Sequence, residues 1–352
     1  MKTIAVNASK NYKVYVGGGL LALAKGPFVC ENRAAAVITD ENVGALYAQT
    51  LCAALKARGF RVCVFTAPNG EEAKSGQTYL RLLSFLAQNR ITRRDILCAL
   101  GGGTVGDLCG FAAASFLRGV EYMQFPTTLL AAVDSSVGGK TAINLPEGKN
   151  LAGAFWQPSA VFADTDTFKS LPTETFSDGF GEIVKYAMLR DGLADILLKY
   201  DLKDFINGLA PTEEVIARCV EIKAEIVADD EYDRGQRALL NFGHTIGHAA
   251  EKLSGYSLSH GQAVSAGMSA VTKAAVKNGI CGGEVPETLN RLQRRYGLLE
   301  ELPYACEELV KAALGDKKTH DGAIDLIVPE RVGSCRVMPV KINELGKFLF
   351  EI

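Results

Sequence analysis

Over the first 170 residues, short runs rich in β-branched and aromatic side chains alternate with longer stretches whose apolar positions recur three and four apart. The runs at 13–16, 35–39, 62–66, 96–100 and 122–125 predict strands. Between them, 42–58 and 73–89 predict helices that lay an apolar stripe on a sheet, as Tyr79, Leu82, Leu83 and Leu86 do in the second. Strands joined by helices in this order run parallel. From about Leu171 the period changes. Helical stretches dominate (180–189, 213–228, 239–252, 262–277 and 286–296), and strand signals return only near 324–328 and 335–338. The pattern predicts an α/β domain over 1–170 and a mainly α-helical domain over 171–352, with a substrate held in the cleft between the two halves.

Composition narrows the class of function. A chain of 352 residues exceeds the size at which one core keeps growing, which agrees with two domains. Lys plus Arg number 38 and Asp plus Glu 40, so the net charge of −2 gives no global field to recruit nucleic acid or a membrane surface. An anionic ligand must be captured by a few placed cations. The nine cysteines, Cys30 among them, are odd in number, scattered and without a C-x-x-C pair, which argues against a disulfide framework or a zinc ribbon. Several, such as Cys63 and Cys98, sit in apolar runs as small hydrophobes of a reducing compartment. The first apolar stretch, Ile4-Ala5-Val6, is too short for a signal peptide, and no run approaches the ~20 apolar residues of a membrane span. The expectation is a cytoplasmic protein without a membrane partner.

Three local patterns carry candidate chemistry. The strand at 96–100 runs into Gly101-Gly102-Gly103-Thr104-Val105-Gly106-Asp107 and then into a helix, an order that lets bare backbone approach a pyrophosphate. A tight turn with close helix–strand packing explains the same glycines, and this turn follows several earlier strands where the dinucleotide fingerprint follows the first. Residues 134–141 end like a Walker A loop but begin with Asp134, whose charge would repel phosphate, so a P-loop ATPase is rejected. Lys140 within it is either an anion contact or solvated surface. Finally, three of the four histidines, His244, His248 and His260, fall within seventeen residues, with His320 apart. His244 and His248 are four apart and share a helix face. The metalloprotease form needs Glu after the first His and meets Thr245 instead. With His260 and a carboxylate from another helix the set would hold zinc and leave a fourth position open; buried histidines satisfied by backbone are the competing reading. Glu182, inside an apolar helix start with Lys185 three residues on, is the candidate carboxylate, although a surface Glu–Lys pair has the same spacing.

Taken in order, residues 101–107, Pro126-Thr127-Thr128-Leu129-Leu130 leading into 134–141, Gly148-Lys149-Asn150, Glu182-Ile183-Val184-Lys185-Tyr186 and 241–248 with His260-Gly261 closely resemble the 3-dehydroquinate synthase family of sugar phosphate cyclases. The likeness runs from Thr39-Asp40-Glu41-Asn42 and Gly70-Glu71-Glu72-Ala73-Lys74-Ser75 to Asp316-Lys317-Lys318, nearly the whole chain. It implies an α/β N-terminal nucleotide-binding domain plus a mainly α-helical C-terminal metal- and substrate-binding domain. It also implies a homodimeric phosphorus–oxygen lyase of the shikimate pathway, which leads to chorismate and the aromatic amino acids. Such an enzyme binds NAD and Zn2+, with Co2+ as a substitute, and converts 3-deoxy-D-arabino-heptulosonate 7-phosphate into 3-dehydroquinate and phosphate. The implied course is transient oxidation of a secondary alcohol, β-elimination of phosphate, re-reduction, ring opening and aldol closure.

The resemblance assigns metal ligation to Glu182, His244 and His260, leaving His248 for substrate binding or acid–base work; spacing alone would have put His248 on the metal. It places Asp134, Lys140, Asn150, Lys185, Lys223, Arg237, Asn241 and the Lys317/Lys318 pair around the substrate, with Arg118 reaching in from a partner subunit. Asp40, Asn42, Glu71, Lys74, Gly102, Gly103, Thr104, Asp107, Thr127, Thr128 and Lys149 are the implied NAD contacts. Gln262 departs from the Glu that often follows His-Gly in the family, with a small change in ligand orientation expected. The rival readings are another sugar phosphate cyclase, a metal-dependent alcohol or glycerol dehydrogenase, and a non-catalytic metal-binding protein.

Overall fold

A computed structural model describes residues 1–23, 33–314, 319–320 and 322–350, so Cys30, Lys317 and Lys318 lie outside the described residues. The chain forms two compact units, Met1–Leu171 with Lys223–Tyr232, and Pro172–Ile222 with Asp233–Ile352. Consequently the Thr212–Asp229 helix is divided, its residues from Lys223 onward belonging to the first unit.

The first unit is built on β1 (Lys2–Val6), β2 (Tyr12–Gly17), β3 (Ala34–Asp40), β4 (Arg61–Ala67), β5 (Ile96–Gly101), β6 (Glu121–Pro126), a hairpin of β7 (Lys140–Leu145) and β8 (Gly148–Phe155), and β9 (Ala160–Asp164). Seven of these form one sheet in the order β1-β2-β9-β6-β5-β3-β4. β1 is antiparallel to β2, and the remaining pairings are parallel. Strand alternation sends Ala34, Ala36 and Ile38 of β3 and Leu97 and Ala99 of β5 into one core, with Leu82 and Leu86 of the Gly76–Gln88 helix and Leu108 and Ala112 of the Gly103–Ser115 helix. Ala35, Val37, Ile96, Cys98 and Leu100 enter the opposite core with Leu51 and Leu55 of the Gln49–Ala57 helix. Burial on both faces is why these strands read as unbroken apolar runs.

The five expected strands correspond to β2–β6. β1, β7, β8 and β9 were not anticipated, for separate reasons. Alternate positions of β1 are exposed. The hairpin carries Lys140, Asn144, Lys149 and Asn150, residues of weak strand preference. β9 is a four-residue apolar run closed by Asp164, too short for periodicity to distinguish strand from helix.

The sheet order reverses at β3, whose successor β4 pairs on one side and β5 on the other. The carboxyl ends of β3 and β5 therefore flank a topological switch point, where open α/β sheets take their ligands.

In the second unit the Thr173–Leu189, His244–Leu253 and His260–Lys277 helices pack together, and β10 (Thr319–His320), β11 (Ala323–Arg331) and β12 (Ser334–Lys341) make a small antiparallel sheet. The first of these helices starts earlier than expected because Gly179 and Gly181 are not breakers there. A Cβ on Gly181 would lie 2.4 Å from the Gly261 carbonyl oxygen, and one on Gly261 would lie 1.8 Å from that of Asp178. The helix expected over 239–252 is interrupted: a 3-10 turn, Gln236–Asn241, ends before Gly243 (φ +79°), and the α-helix starts at His244. Gly243 reverses the chain and also docks it, since a Cβ there would meet the Val264 carbonyl oxygen at 2.5 Å. Among the described residues, no helix is long and apolar enough to cross a membrane, and the eight described cysteines form no disulfide.

Candidate functional site

In the first unit the expected nucleotide contacts cluster at strand carboxyl ends. Asp40 closes β3 and commits its carboxylate to the Val43 amide; Asn42 follows, exposed, its amide donating to Asn69 Oδ1 at 3.2 Å. Glu71 and Lys74 lie in the 3-10 turn after β4, Gly102 and Gly103 follow β5, and Thr127 and Thr128 follow β6. Gly102 caps the Gly103–Ser115 helix without a side-chain hydrogen bond, so the amides of the first turn, Thr104 included, are left for a ligand or solvent. Packing accounts for other glycines of the run: a Cβ on Gly101 would strike Val105 at 2.7 Å, and one on Gly106 would strike Gln124 at 2.7 Å. The backbone approach needed for helix packing thus explains part of the motif, and the uncapped turn beside Gly102 is the part open to an anion.

Lys74 is nearly inaccessible, 4% exposed, and joins residues expected in different roles: its ammonium donates to Asp107 Oδ2 at 2.5 Å and to Asn150 Oδ1. Burial raises the Asp107 carboxyl above its ordinary range, with Lys74 opposing the shift. Asn150 is itself exposed and left-handed (φ 57°), in a hairpin whose register slips between Ile143 and Leu145. The Asn150 amide donates to Asn144 Oδ1 at 3.0 Å, Asn144 donates to Glu71 Oε2 at 2.7 Å, and Lys149 pairs with Glu71 Oε1 at 3.2 Å. Asn144, absent from the sequence reading, thereby ties the hairpin to the turn bearing Lys74. Lys223, also buried, donates to the Asp134 carbonyl at 2.7 Å and to its Oδ1 at 3.0 Å. Lys140 is exposed at the start of β7. Arg118 is exposed in a turn where Leu117 and Arg118 both take positive φ, 51° and 63°.

The second unit brings Glu182, His244 and His260 together, with one ligand atom of each within 4.8 Å of the others. Glu182 is fully buried; its Oε1 lies 3.4 Å from His244 Nε2 and 3.2 Å from His260 Nε2, while Oε2 pairs with buried Lys185. His244 Nδ1 lies 3.1 Å from the Phe242 carbonyl oxygen, which fixes the tautomer with Nε2 as an acceptor facing Glu182. Burial first, then the Lys185 charge, holds the His244 imidazole well below its ordinary value and keeps it neutral. Burial lowers His260 as well, but the Glu182 and Glu251 carboxylates outweigh it and push the group up to about 10. A pocket that favours positive charge between a buried carboxylate and two imidazoles fits a divalent cation of the zinc or cobalt type.

His248 stands one helical turn beyond His244, their ring centroids 5.3 Å apart, and its Nε2 lies 3.9 Å from Glu251 Oε2. Four residues at about 100° each rotate past a full turn and advance about 6 Å, so sharing a helix face does not make both rings reach one point. Arg237 is 2% exposed, and Asn241 ends the 3-10 turn before the His244 helix.

Two residues missed from the sequence hold this arrangement. Asp178, one turn before Glu182, accepts from Ser259 Oγ at 2.6 Å and from the Gln262 amide at 3.1 Å, capping the helix that begins at His260. Glu251 lies seven residues after His244 on the same face and is buried. Helical spacing from Glu182 and His244 was the available signal for both. Gln262, by contrast, faces elsewhere: its Nε2 donates to the Gly297 carbonyl at 3.1 Å and its Oε1 accepts from the Leu299 amide at 2.7 Å. The departure at this position serves a loop anchor.

Residues 64–178 match the 3-dehydroquinate synthase N-terminal family and residues 179–319 the 3-dehydroquinate synthase C-terminal family. A 3-dehydroquinate synthase of Clostridium kluyveri is 40% identical over 355 residues, covering 99% of each chain. In three dimensions the chain is similar to 2-deoxy-scyllo-inosose synthase complexed with carbaglucose-6-phosphate, NAD+ and Co2+ (TM-score 0.89, 24% identity, 99% of this chain and 100% of the other). It is also similar to the 2-epi-5-epi-valiolone synthase ValA from Streptomyces hygroscopicus subsp. jinggangensis with NAD+ and Zn2+ bound (TM-score 0.87, 24% identity, 99% and 98% coverage). These two likenesses establish the dehydroquinate synthase-like fold, and the sequence matches over nearly the full length go further: the chain belongs to the 3-dehydroquinate synthase family.

Proposed function

We propose that this chain is a phosphorus–oxygen lyase that converts 3-deoxy-D-arabino-heptulosonate 7-phosphate into 3-dehydroquinate and phosphate, using NAD and a zinc or cobalt ion. The observation that carries the reading is the convergence of His244 Nε2 and His260 Nε2 on Glu182 Oε1. A cation held there would supply Lewis acidity toward the substrate's secondary alcohol, and bound NAD would supply a reversible hydride acceptor.

The chain's own residues supply the rest. Glu182, His244 and His260 hold the cation, with the Phe242 carbonyl keeping a proton on His244 Nδ1 and off the ligating nitrogen. Gly102, Gly103 and Thr104 offer backbone amides to the dinucleotide phosphates, with Asp40, Asn42, Glu71, Lys74, Asp107, Thr127, Thr128 and Lys149 around them. Arg237 grips the substrate carboxylate through its planar fork; Lys140, Lys185 and Lys223 act as point charges on oxyanions. Asp134 orients Lys223, Asn150 and Asn241 hydrogen-bond substrate hydroxyls, and His248, partly exposed beside the ligands, moves a proton at Nε2. Lys317 and Lys318, outside the described residues, join this set. The active species is a homodimer of a reducing, cytoplasmic compartment, with Arg118 completing the partner's site; the described cysteines, all of them thiols, fit that compartment.

Incubation with the heptulosonate phosphate, following inorganic phosphate and NADH absorbance together, tests the reaction. Phosphate release with sub-stoichiometric NAD and no lasting NADH is expected; stoichiometric NADH without phosphate overturns the reading in favour of a dehydrogenase. His244→Ala and His260→Ala are expected to abolish cation retention and turnover, and wild-type metal content and rate in the His260 variant refutes its assignment.

A further inference from the structure

Glu251 is an ill-placed carboxylate by ordinary rules. It sits in the last turn of the His244–Leu253 helix, where the helix dipole disfavours negative charge, and it is only 7% exposed. Burying an anion at that end requires partners that stabilise it. Its Oε2 lies 3.4 Å from His260 Nδ1, and the same oxygen lies 3.9 Å from His248 Nε2. The other nitrogen of the His260 ring is the one that faces Glu182 Oε1 at 3.2 Å. Each imidazole directed at Glu182 is thus backed by an acceptor on its far side, the Phe242 carbonyl for His244 and the Glu251 carboxylate for His260.

We propose that Glu251 is a positioning residue for the cation: it accepts the Nδ1 proton of His260 and fixes that ring with its Nε2 lone pair toward Glu182. The proposal rests on the reading of Glu182, His244 and His260 as the cation site. A carboxylate behind a ligating imidazole sets its tautomer and raises its donor strength, which a neutral carbonyl does to a lesser degree. His260, like His244, enters from the first residue of its helix, so the helix body holds neither ring on its far side and each relies on an external acceptor.

The test uses the full-length protein stripped by chelator and titrated with Co2+, comparing wild type with Glu251→Ala, Glu251→Gln and His244→Ala. Co2+ affinity is read by competition with a chromophoric chelator, stoichiometry at saturation, and geometry from the visible d–d bands. Wild type is expected to take up one ion per chain. Glu251→Ala should bind about 10- to 100-fold more weakly, with shifted bands. Glu251→Gln, similar in volume and still offering an acceptor oxygen, should keep the wild-type band positions with an intermediate affinity. If Glu251→Ala is poorly folded, the Gln variant carries the comparison, with wild-type affinity in that variant overturning the proposal. Wild-type affinity and bands in both Glu251 variants, while His244→Ala loses the ion, overturn the positioning role alone. Two ions per wild-type chain overturn it in favour of a second cation on His248, Glu251 and His260. Undiminished Co2+ binding by His244→Ala overturns the cation-site reading and this proposal with it.

Discussion

Gln262 shows how a neighbour of a candidate ligand can serve something else. Its amide both donates and accepts, to Gly297 and from Leu299, so the side chain closes the loop after the Glu284–Tyr296 helix. A carboxylate at this position keeps the acceptor but faces a carbonyl oxygen with no proton to offer. Gln262→Glu is therefore expected to destabilise the protein by about 1 kcal/mol in urea unfolding, the scale of a partly exposed hydrogen bond, and to leave Co2+ affinity unchanged. A change in affinity would show that the loop and the ligand are coupled. The sequence disclosed that the residue was unusual and could not disclose why, because its partners lie 35 and 37 positions away along the chain. His248 carries the same lesson: residue type and spacing marked it as chemistry, while the group that closes on Glu182 with His244 is His260, brought there by a separate helix.

Among the elements, the helix crossings beside the candidate ligands are made by backbone. Gly181 and Gly261 touch with no room for a methyl group, and Glu182 and His260 each sit next to one of these glycines. Overpacking costs about 1–3 kcal/mol and sometimes more; with the Asp178 carbonyl oxygen 1.8 Å from where the methyl carbon would stand, Gly261→Ala is expected at or above the top of that range. Thermal unfolding of the cation-free variant measures this, and a loss below about 1 kcal/mol would mean that the helices can separate without penalty. The same glycines explain where element prediction stopped. Local propensity treats Gly179 and Gly181 as interruptions and cannot register a second backbone arriving from about eighty residues away. At Gly243 the opposite happened: the apolar period continued through it and the positive φ broke the helix. In the α/β unit, β3 and β5 were legible because burial on both faces made them continuous apolar runs, β2 and β4 because β-branched and aromatic residues recur in them, and the polar β7–β8 hairpin was not, although it carries Asn144, Lys149 and Asn150.

For the whole molecule, a net charge of −2 leaves capture of an anionic substrate to individual cations, several of which the structure keeps out of water: Lys74, Lys185, Lys223 and Arg237 are each at most 6% exposed. Arg118 is different, exposed on a turn of left-handed residues, and its proposed work is done in a partner subunit. Mixing Arg118→Ala with His260→Ala is expected to restore phosphate release, because a mixed dimer holds one site with all its groups. No recovery in verified mixed dimers would count against sharing. The clustering of three histidines was visible in the sequence; the backing of each imidazole by its own acceptor was not, since it depends on a carbonyl two residues from one ring and on a carboxylate of a different helix from the other.

The glycine contacts have a practical corollary for redesign. Anyone wishing to widen the bite of the three ligands must translate entire helices, because the spacing is enforced by peptide groups in direct touch and no rotamer can relax it. Side chains introduced at 181, 243 and 261 are expected to separate the helices, so efforts to retune this pocket belong at the positions that surround it, beginning with 251.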